Sequence, residues 1–261
     1  MSLTDKNIST TYKDILNIDN SNVGFDTNID QIKSGNGVGS ALYLSKNNLK
    51  VQPTTDSTTN SVIYDKDGNI LFQVDSTNDY VKALGNQVNT QYAYFGINYT
   101  QASSYVANTH YPIAFNSDSS GIITSDVDFG TGTDPDDSFT TADTDTQYAS
   151  QIVPMMWRVP DNITIDSISH IEGADAATGD TTRMHCKSFD FTSGSTSCLA
   201  NGTLLAHNSD VTNAGNEQAY LSSWTIDSAS VVSGKVILCF FRSDSVNSDY
   251  SLNVTIKYHL T

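Results

Sequence analysis

Apolar residues in this chain return at every second position, in short runs that polar turn residues soon cut off. In residues 252–258, Leu252, Val254, Ile256 and Tyr258 alternate with Asn253, Thr255 and Lys257. That period puts one apolar and one polar face on an extended strand and is incompatible with an amphipathic helix. Similar runs of Val, Ile, Thr, Tyr and Phe occupy 92–99, 111–115, 155–159, 163–171, 183–191, 203–207, 219–226 and 235–243. Clusters of Asn, Asp, Gly and Ser separate them. The one tempting helix, residues 12–16, is too short to stand alone. The chain is therefore expected to be all-β, with an antiparallel β-sandwich of jelly-roll-like type over residues 89–261.

Residues 1–88 read differently. A strand over 12–19 is followed by a turn at 20–24. A glycine-rich break, Gly35-Asn36-Gly37-Val38-Gly39, leads into strands at 41–45 and 48–52. A Thr/Ser/Asp tract then precedes the clearest hairpin, Val62-Ile63-Tyr64, turn Asp65 to Asn69, and Ile70 to Val74. These strands are thin and evenly spaced, with too little apolar material to close a core. The expectation is an N-terminal attachment arm or shaft that borrows neighbours from other chains, followed by a knob over 89–261.

Charge excludes several partners. With 13 Lys and Arg against 29 Asp and Glu, the net charge is −16. Such a chain repels nucleic-acid backbones and anionic membrane surfaces. No window approaches the roughly 20 apolar residues of a membrane helix. The first residues lack a charged-then-apolar leader, so synthesis in a cytoplasm without a cleaved signal is expected. Three cysteines, Cys186, Cys198 and Cys239, show neither disulfide-framework nor zinc spacing. Cys239 lies in an apolar run and reads as a small core residue. A hairpin disulfide between Cys186 and Cys198 is the weaker alternative.

Chemistry-bearing motifs are scarce. Asp65-Lys66-Asp67-Gly68-Asn69 begins like a calcium loop, but Ile70 stands where glycine is needed and Ser76 where a bidentate Glu is needed. The same residues suit a hairpin turn. His170-Ile171-Glu172 lacks the Pro-Cys-x-x-Cys partner of a zinc deaminase. No nucleophile elbow, zinc-protease helix or phosphate loop occurs, and no enzyme is implied. Two features remain. The loop 126–145 carries Asp126, Asp128, Asp134, Asp136 and Asp137 with no Lys or Arg. It is a solvated loop on one reading and a Ca²⁺ or Mg²⁺ site on the other. Tyr92, Tyr94, Tyr99, Tyr105 and Tyr111 crowd one stretch; they pack a core, line a subunit interface or stack on sugar rings. No other cofactor is expected.

The segment Thr10 to Asp26, with Tyr12-Lys13-Asp14-Ile15-Leu16-Asn17-Ile18-Asp19 at its centre, resembles the N-terminal region of structural proteins of marine tailed bacteriophages. So do Ser34 to Ser45, Asp67 to Asp75 and Val81 to Gly85. The resemblance covers about the first 85 residues specifically and the remainder only in style. It implies a virion protein, usually a homotrimer, made in the host cytoplasm. The short shaft favours a capsid decoration or cement protein, or a short head fibre, bound to the major capsid protein or another virion protein. Attachment then falls to Tyr12, Ile15, Leu16, Ile18, Leu42 and Leu44. A tail-associated protein binding a receptor or host surface glycan is the alternative. No catalytic residue is implied.

Overall fold

The computed structural model describes residues 15–21, 23–99, 106–115, 129, 153–194, 199–245 and 248–261. Among them the only helical element is one 3-10 turn, Val153–Met155; all other regular structure is β. None of their helices is long and apolar enough to cross a membrane. The chain divides into two compact units, Met1–Val88 and Asn89–Thr261.

The first unit holds two separate four-stranded antiparallel meanders. One is built from β1 (Leu16–Ile18), β2 (Asp30–Ser34), β3 (Gly39–Leu44) and β4 (Leu49–Val51). The other is built from β5 (Ser61–Tyr64), β6 (Ile70–Asp75), β7 (Tyr80–Ala83) and β8 (Asn86–Gln87). Of the strand expected over 12–19, Leu16–Ile18 forms β1, and residues 12–14 lie outside the described residues. The β5–β6 turn is closed by Asp65. Its carboxylate accepts from the amides of Asp67 and Asn69, each at 2.8 Å, and from the Asn69 side chain at 2.9 Å. Gly68 takes a left-handed conformation at φ 85°, which only glycine adopts cheaply. The Asp65 oxygens thus serve the turn. The Asn69 side chain and backbone, ahead of the other turn amides, hold its pKa below the usual carboxylate range.

The second unit is a β-sandwich. Its strands are β9 (Thr90–Tyr99), β10 (Tyr111–Ile113), β11 (Trp157–Arg158), β12 (Ile163–Asp175), β13 (Thr181–Phe191) and β14 (Leu199–His207). They continue with β15 (Val211–Thr212), β16 (Gln218–Ser223), β17 (Thr225–Ile226), β18 (Ser230–Val231), β19 (Val236–Ser243) and β20 (Asp249–Leu260). One sheet runs β16-β12-β20-β9, with β18 also paired to β12. The other runs β10-β19-β13-β14-β17, with β11 on β19 and β15 on β13. The eight principal strands pair as a nested set: β9 with β20, β10 with β19, β12 with β16, and β13 with β14. A long hairpin wound around a core gives this pairing, and it is the jelly-roll topology.

The inner face of each sheet supplies the core. Phe95, Ile97, Ile168, Val254 and Ile256 come from one sheet; Met184, Cys186, Cys239 and Phe241 come from the other. A second cluster covers the reverse side of β13 and β19, where Phe189, Leu238 and Phe240 meet Met155, Ala114 and Phe129. Buried on both faces, β19 can be apolar at consecutive positions from Val236 to Phe241, which explains its unbroken run.

Two expected strands come out differently. The run 219–226 is two strands in two sheets: β16 pairs β12, and β17 pairs β14. The chain changes sheet at Trp224, whose indole is buried and whose Nε1–H donates to His170 Nδ1 at 2.7 Å. In the run 155–159 Met155 ends the 3-10 turn and only Trp157–Arg158 form a strand, β11.

Candidate functional site

The alternation that builds the two N-terminal meanders also sorts their side chains. In the first, Leu16 and Ile18 on β1, Ile32 on β2, Leu42 and Leu44 on β3, and Leu49 and Val51 on β4 share one face. The register places Ile18 against Ile32, Leu42 against Val51 and Leu44 against Leu49. The reverse face carries Asn17, Gln31, Lys33, Tyr43 and Lys50, with the Lys50 ammonium 4.8 Å from the Tyr43 ring centre.

The second meander repeats this division. Ile63 pairs Phe72, which pairs Ala83; Val74 pairs Val81; Ile70 and Val88 extend the same face. Gln73, Lys82 and Gln87 lie on the reverse, and the Lys82 ammonium sits 4.2 Å from the Tyr80 ring centre.

The described residues cover each apolar face only in part: Ile18, Leu42, Leu44, Phe72, Val74 and Val81 are half-buried. Of the apolar residues described in this unit only Ile32 is buried, while Leu16 is 69%, Leu49 65%, Ile63 59% and Val88 59% exposed. Among the described residues both hydrophobic clusters lie in the second unit. Each Val, Leu, Ile or Phe left in water forgoes about 1.5–3 kcal/mol of burial. A sheet of short strands with one bare apolar face needs a second layer to be stable. The unit is also close to neutral. Residues 1–88 hold 7 Lys and 10 Asp, net −3; residues 89–261 hold 6 Lys and Arg against 19 Asp and Glu, net −13. Charge repulsion between copies therefore falls mainly on the jelly roll.

Of the residues expected to attach, Leu16, Ile18, Leu42 and Leu44 meet on this one face. Ile15 precedes β1 and is exposed, and Tyr12 lies outside the described residues. The second face, with Phe72 and Val74, is not among the expected attachment residues. The alternation 70, 72, 74 and 81, 83 was its available signal.

The tyrosine group divides. Tyr99 and Tyr111 are core residues, each 1% exposed, so neither is available to stack on a sugar or a partner. Their rings lie 5.6 Å apart, Tyr99 stacks on Phe241 at 5.5 Å, and its hydroxyl donates to the Pro112 carbonyl at 2.8 Å. Burial, then Tyr111, pushes the Tyr99 phenol well above its usual range. Tyr92 and Tyr94 instead project from the outer face of β9, more than half exposed. On that outer face Ile171 pairs Leu221, both exposed. A shallow cleft of ≈ 600 Å³ opens further along it, over Gly173, Ala219 and Ser251 and beside Asn98. Tyr105 lies outside the described residues, as do Asp126, Asp128, Asp134, Asp136 and Asp137 of the acidic loop. Among the described residues no group of His, Cys, Asp or Glu is placed to hold a metal ion.

His170 and Glu172 do share a face, but it is the inner one, and both are fully buried. Thr182 Oγ1 lies 2.9 and 2.8 Å from the two Glu172 oxygens, and His170 Nε2 lies 3.7 Å from the carboxylate. Trp224 donates to Nδ1, so the neutral imidazole carries its proton on Nε2, facing Glu172. This is a closed polar network inside the sandwich, with no open side for a substrate.

The chain matches no protein-family model and no characterised protein.

Proposed function

We propose that this chain is a structural component of a virus particle: a homotrimer that attaches to the shell through its N-terminal unit and carries the jelly roll outward. The observation that carries the reading is the contrast between the two units. The jelly roll closes its own core, whereas among the described residues each N-terminal meander carries a largely apolar face that is only partly covered. Assembly with other chains would bury the rest of these faces. Jelly rolls serve in capsid and lectin domains alike, so the fold alone does not choose the role. The resemblance of the first 85 residues to phage structural proteins supports the capsid side. So does the near-neutral charge of the unit that would touch its neighbours.

Gold-labelled antibody against residues 89–261, applied to intact particles, tests this directly. Label spread over the head supports a decoration or cement protein. Label confined to the tail moves the role to adhesion, and an unlabelled particle removes the proposal.

A second reading has its own observation. Tyr92 and Tyr94 are exposed at alternate positions of β9, on the same face as the cleft over Gly173 and Ser251. Exposed aromatic rings on one strand suit stacking on a sugar. A glycan array with and without Ca²⁺ checks it, and no signal in either condition removes it.

A further inference from the structure

Strands β13 and β19 pair without a register break from Thr182 opposite Ser243 to Phe189 opposite Val236, and this sets Cys186 directly opposite Cys239. One residue beyond the ladder the Asp244 amide donates to the Thr181 carbonyl at 3.1 Å. Residues 181 and 244 are therefore a hydrogen-bonded pair. Hydrogen-bonded and non-hydrogen-bonded pairs alternate along an antiparallel ladder. Counting inward, residues 183 and 242 and residues 185 and 240 are hydrogen-bonded pairs, and Cys186 with Cys239 is a non-hydrogen-bonded one. At such pairs the side chains stand closest and the Cα atoms are about 4.5 Å apart. Disulfides span Cα separations of about 4.4–6.8 Å. Both cysteines are free, both are fully buried, and both point into the core between the sheets.

We propose that Cys186 and Cys239 are an oxidative cross-linking site that staples the two central strands of the seven-stranded sheet. The oxidant is a small disulfide such as oxidised glutathione. One cysteine thiolate attacks it, forming a mixed disulfide and releasing one reduced glutathione. The second thiolate displaces the other. The protein loses two thiol protons and two electrons, and one glutathione disulfide becomes two thiols. Burial closes the pair to solvent in the native state, so the bond forms while the chain folds. The staple constrains residues 186–239 in the unfolded chain and raises the melting temperature. It is independent of the proposed role in a particle, because neither cysteine touches the N-terminal faces.

The full chain, refolded from denaturant with oxidised and reduced glutathione, tests this against refolding in excess dithiothreitol. The expected result is an intact mass lighter by two hydrogens and a fall in free thiols from the three of the sequence to one. Peptide mapping should link Cys186 to Cys239, and the melting temperature should rise by at least about 3 °C. Cys198→Ser should still form the link. Cys239→Ala should not, and its melting temperature should be the same under both refolding conditions. Three free thiols after oxidative refolding, a retained glutathione adduct, or a link that includes Cys198 would overturn the proposal.

Discussion

Phe72 lies directly opposite Ile63 across β5 and β6, on the same side of the sheet as Val74 and Val81, and Ile63 keeps 59% of its surface in water. If that face is where copies or partners meet, a charge placed on it blocks assembly without unfolding the jelly roll. Phe72→Asp should weaken association at least about 100-fold, the equivalent of about 2.8 kcal/mol. Leu44→Asp, on the other meander, should weaken shell attachment by a similar factor. Calorimetry should show the transition of the jelly roll unmoved in both. A variant that assembles like the natural chain would show that the face is not used.

The polar network inside the sandwich makes a separate prediction. Among the described residues Thr182 supplies the one hydroxyl within hydrogen-bonding distance of the buried Glu172 carboxylate. Thr182→Val keeps the shape and removes that donor, leaving Glu172 short of a partner in a dry core. Denaturant unfolding should show a loss of about 1.5–3 kcal/mol. The double variant Thr182→Val with Glu172→Leu should recover much of it, since a core with neither group has nothing left to satisfy. A single-variant loss below about 0.5 kcal/mol would mean that the hydroxyl contributes little.

His185 gives the fold a pH dependence. Burial, then the nearby His110, Lys187, His207 and Arg183, hold its pKa well below the ordinary histidine value. The unfolded chain therefore binds a proton at His185 before the folded one does. Stability from this group is complete above about pH 6.5 and falls as pH drops below that value, at up to about 1.4 kcal/mol per pH unit. Melting temperatures between pH 7 and pH 5 should fall for the natural chain. They should fall less for His185→Phe, which stacks on Phe240 as the imidazole does. Equal slopes would assign the effect to other groups.

Asp65 tests the turn reading of the segment that begins like a calcium loop. Its carboxylate holds the backbone of Asp67 and Asn69. Asp65→Ala should destabilise the β5–β6 hairpin, seen as faster amide exchange in residues 61–75. Millimolar Ca²⁺ should leave exchange in the natural chain unchanged, and Ca²⁺-dependent protection there would contradict the turn assignment.

Much of the jelly roll could be read from period-2 alternation, since Leu252, Val254 and Ile256 point inward as their spacing requires. The sheet change at Trp224 could not, because nothing local marks a strand whose halves pair with different neighbours. Burial on both faces hid the orientation of Phe240 and Cys239, as a continuous apolar run carries no alternation. Tyr99 and Tyr111 look the same in sequence as Tyr92 and Tyr94. Tyr92 and Tyr94 fall on the outer face of β9 and Tyr99 on its inner face, while Tyr111 lies on β10 in the other sheet. In the N-terminal unit the short strands at 41–45, 48–52, 62–64 and 70–74 were legible, whereas the two-faced sorting of each meander emerged only once register was fixed.

The most direct test of the account is the native mass of the full chain, measured by analytical ultracentrifugation at micromolar concentration. The partly exposed apolar faces of the meanders call for association, and the proposed trimer has a mass of about 85 kDa, three times the 28.3 kDa chain. Phe72→Asp should return it toward the single-chain mass. A natural chain that sediments as a 28.3 kDa monomer with a cooperatively folded N-terminal unit would contradict the claim that these faces are completed by other chains.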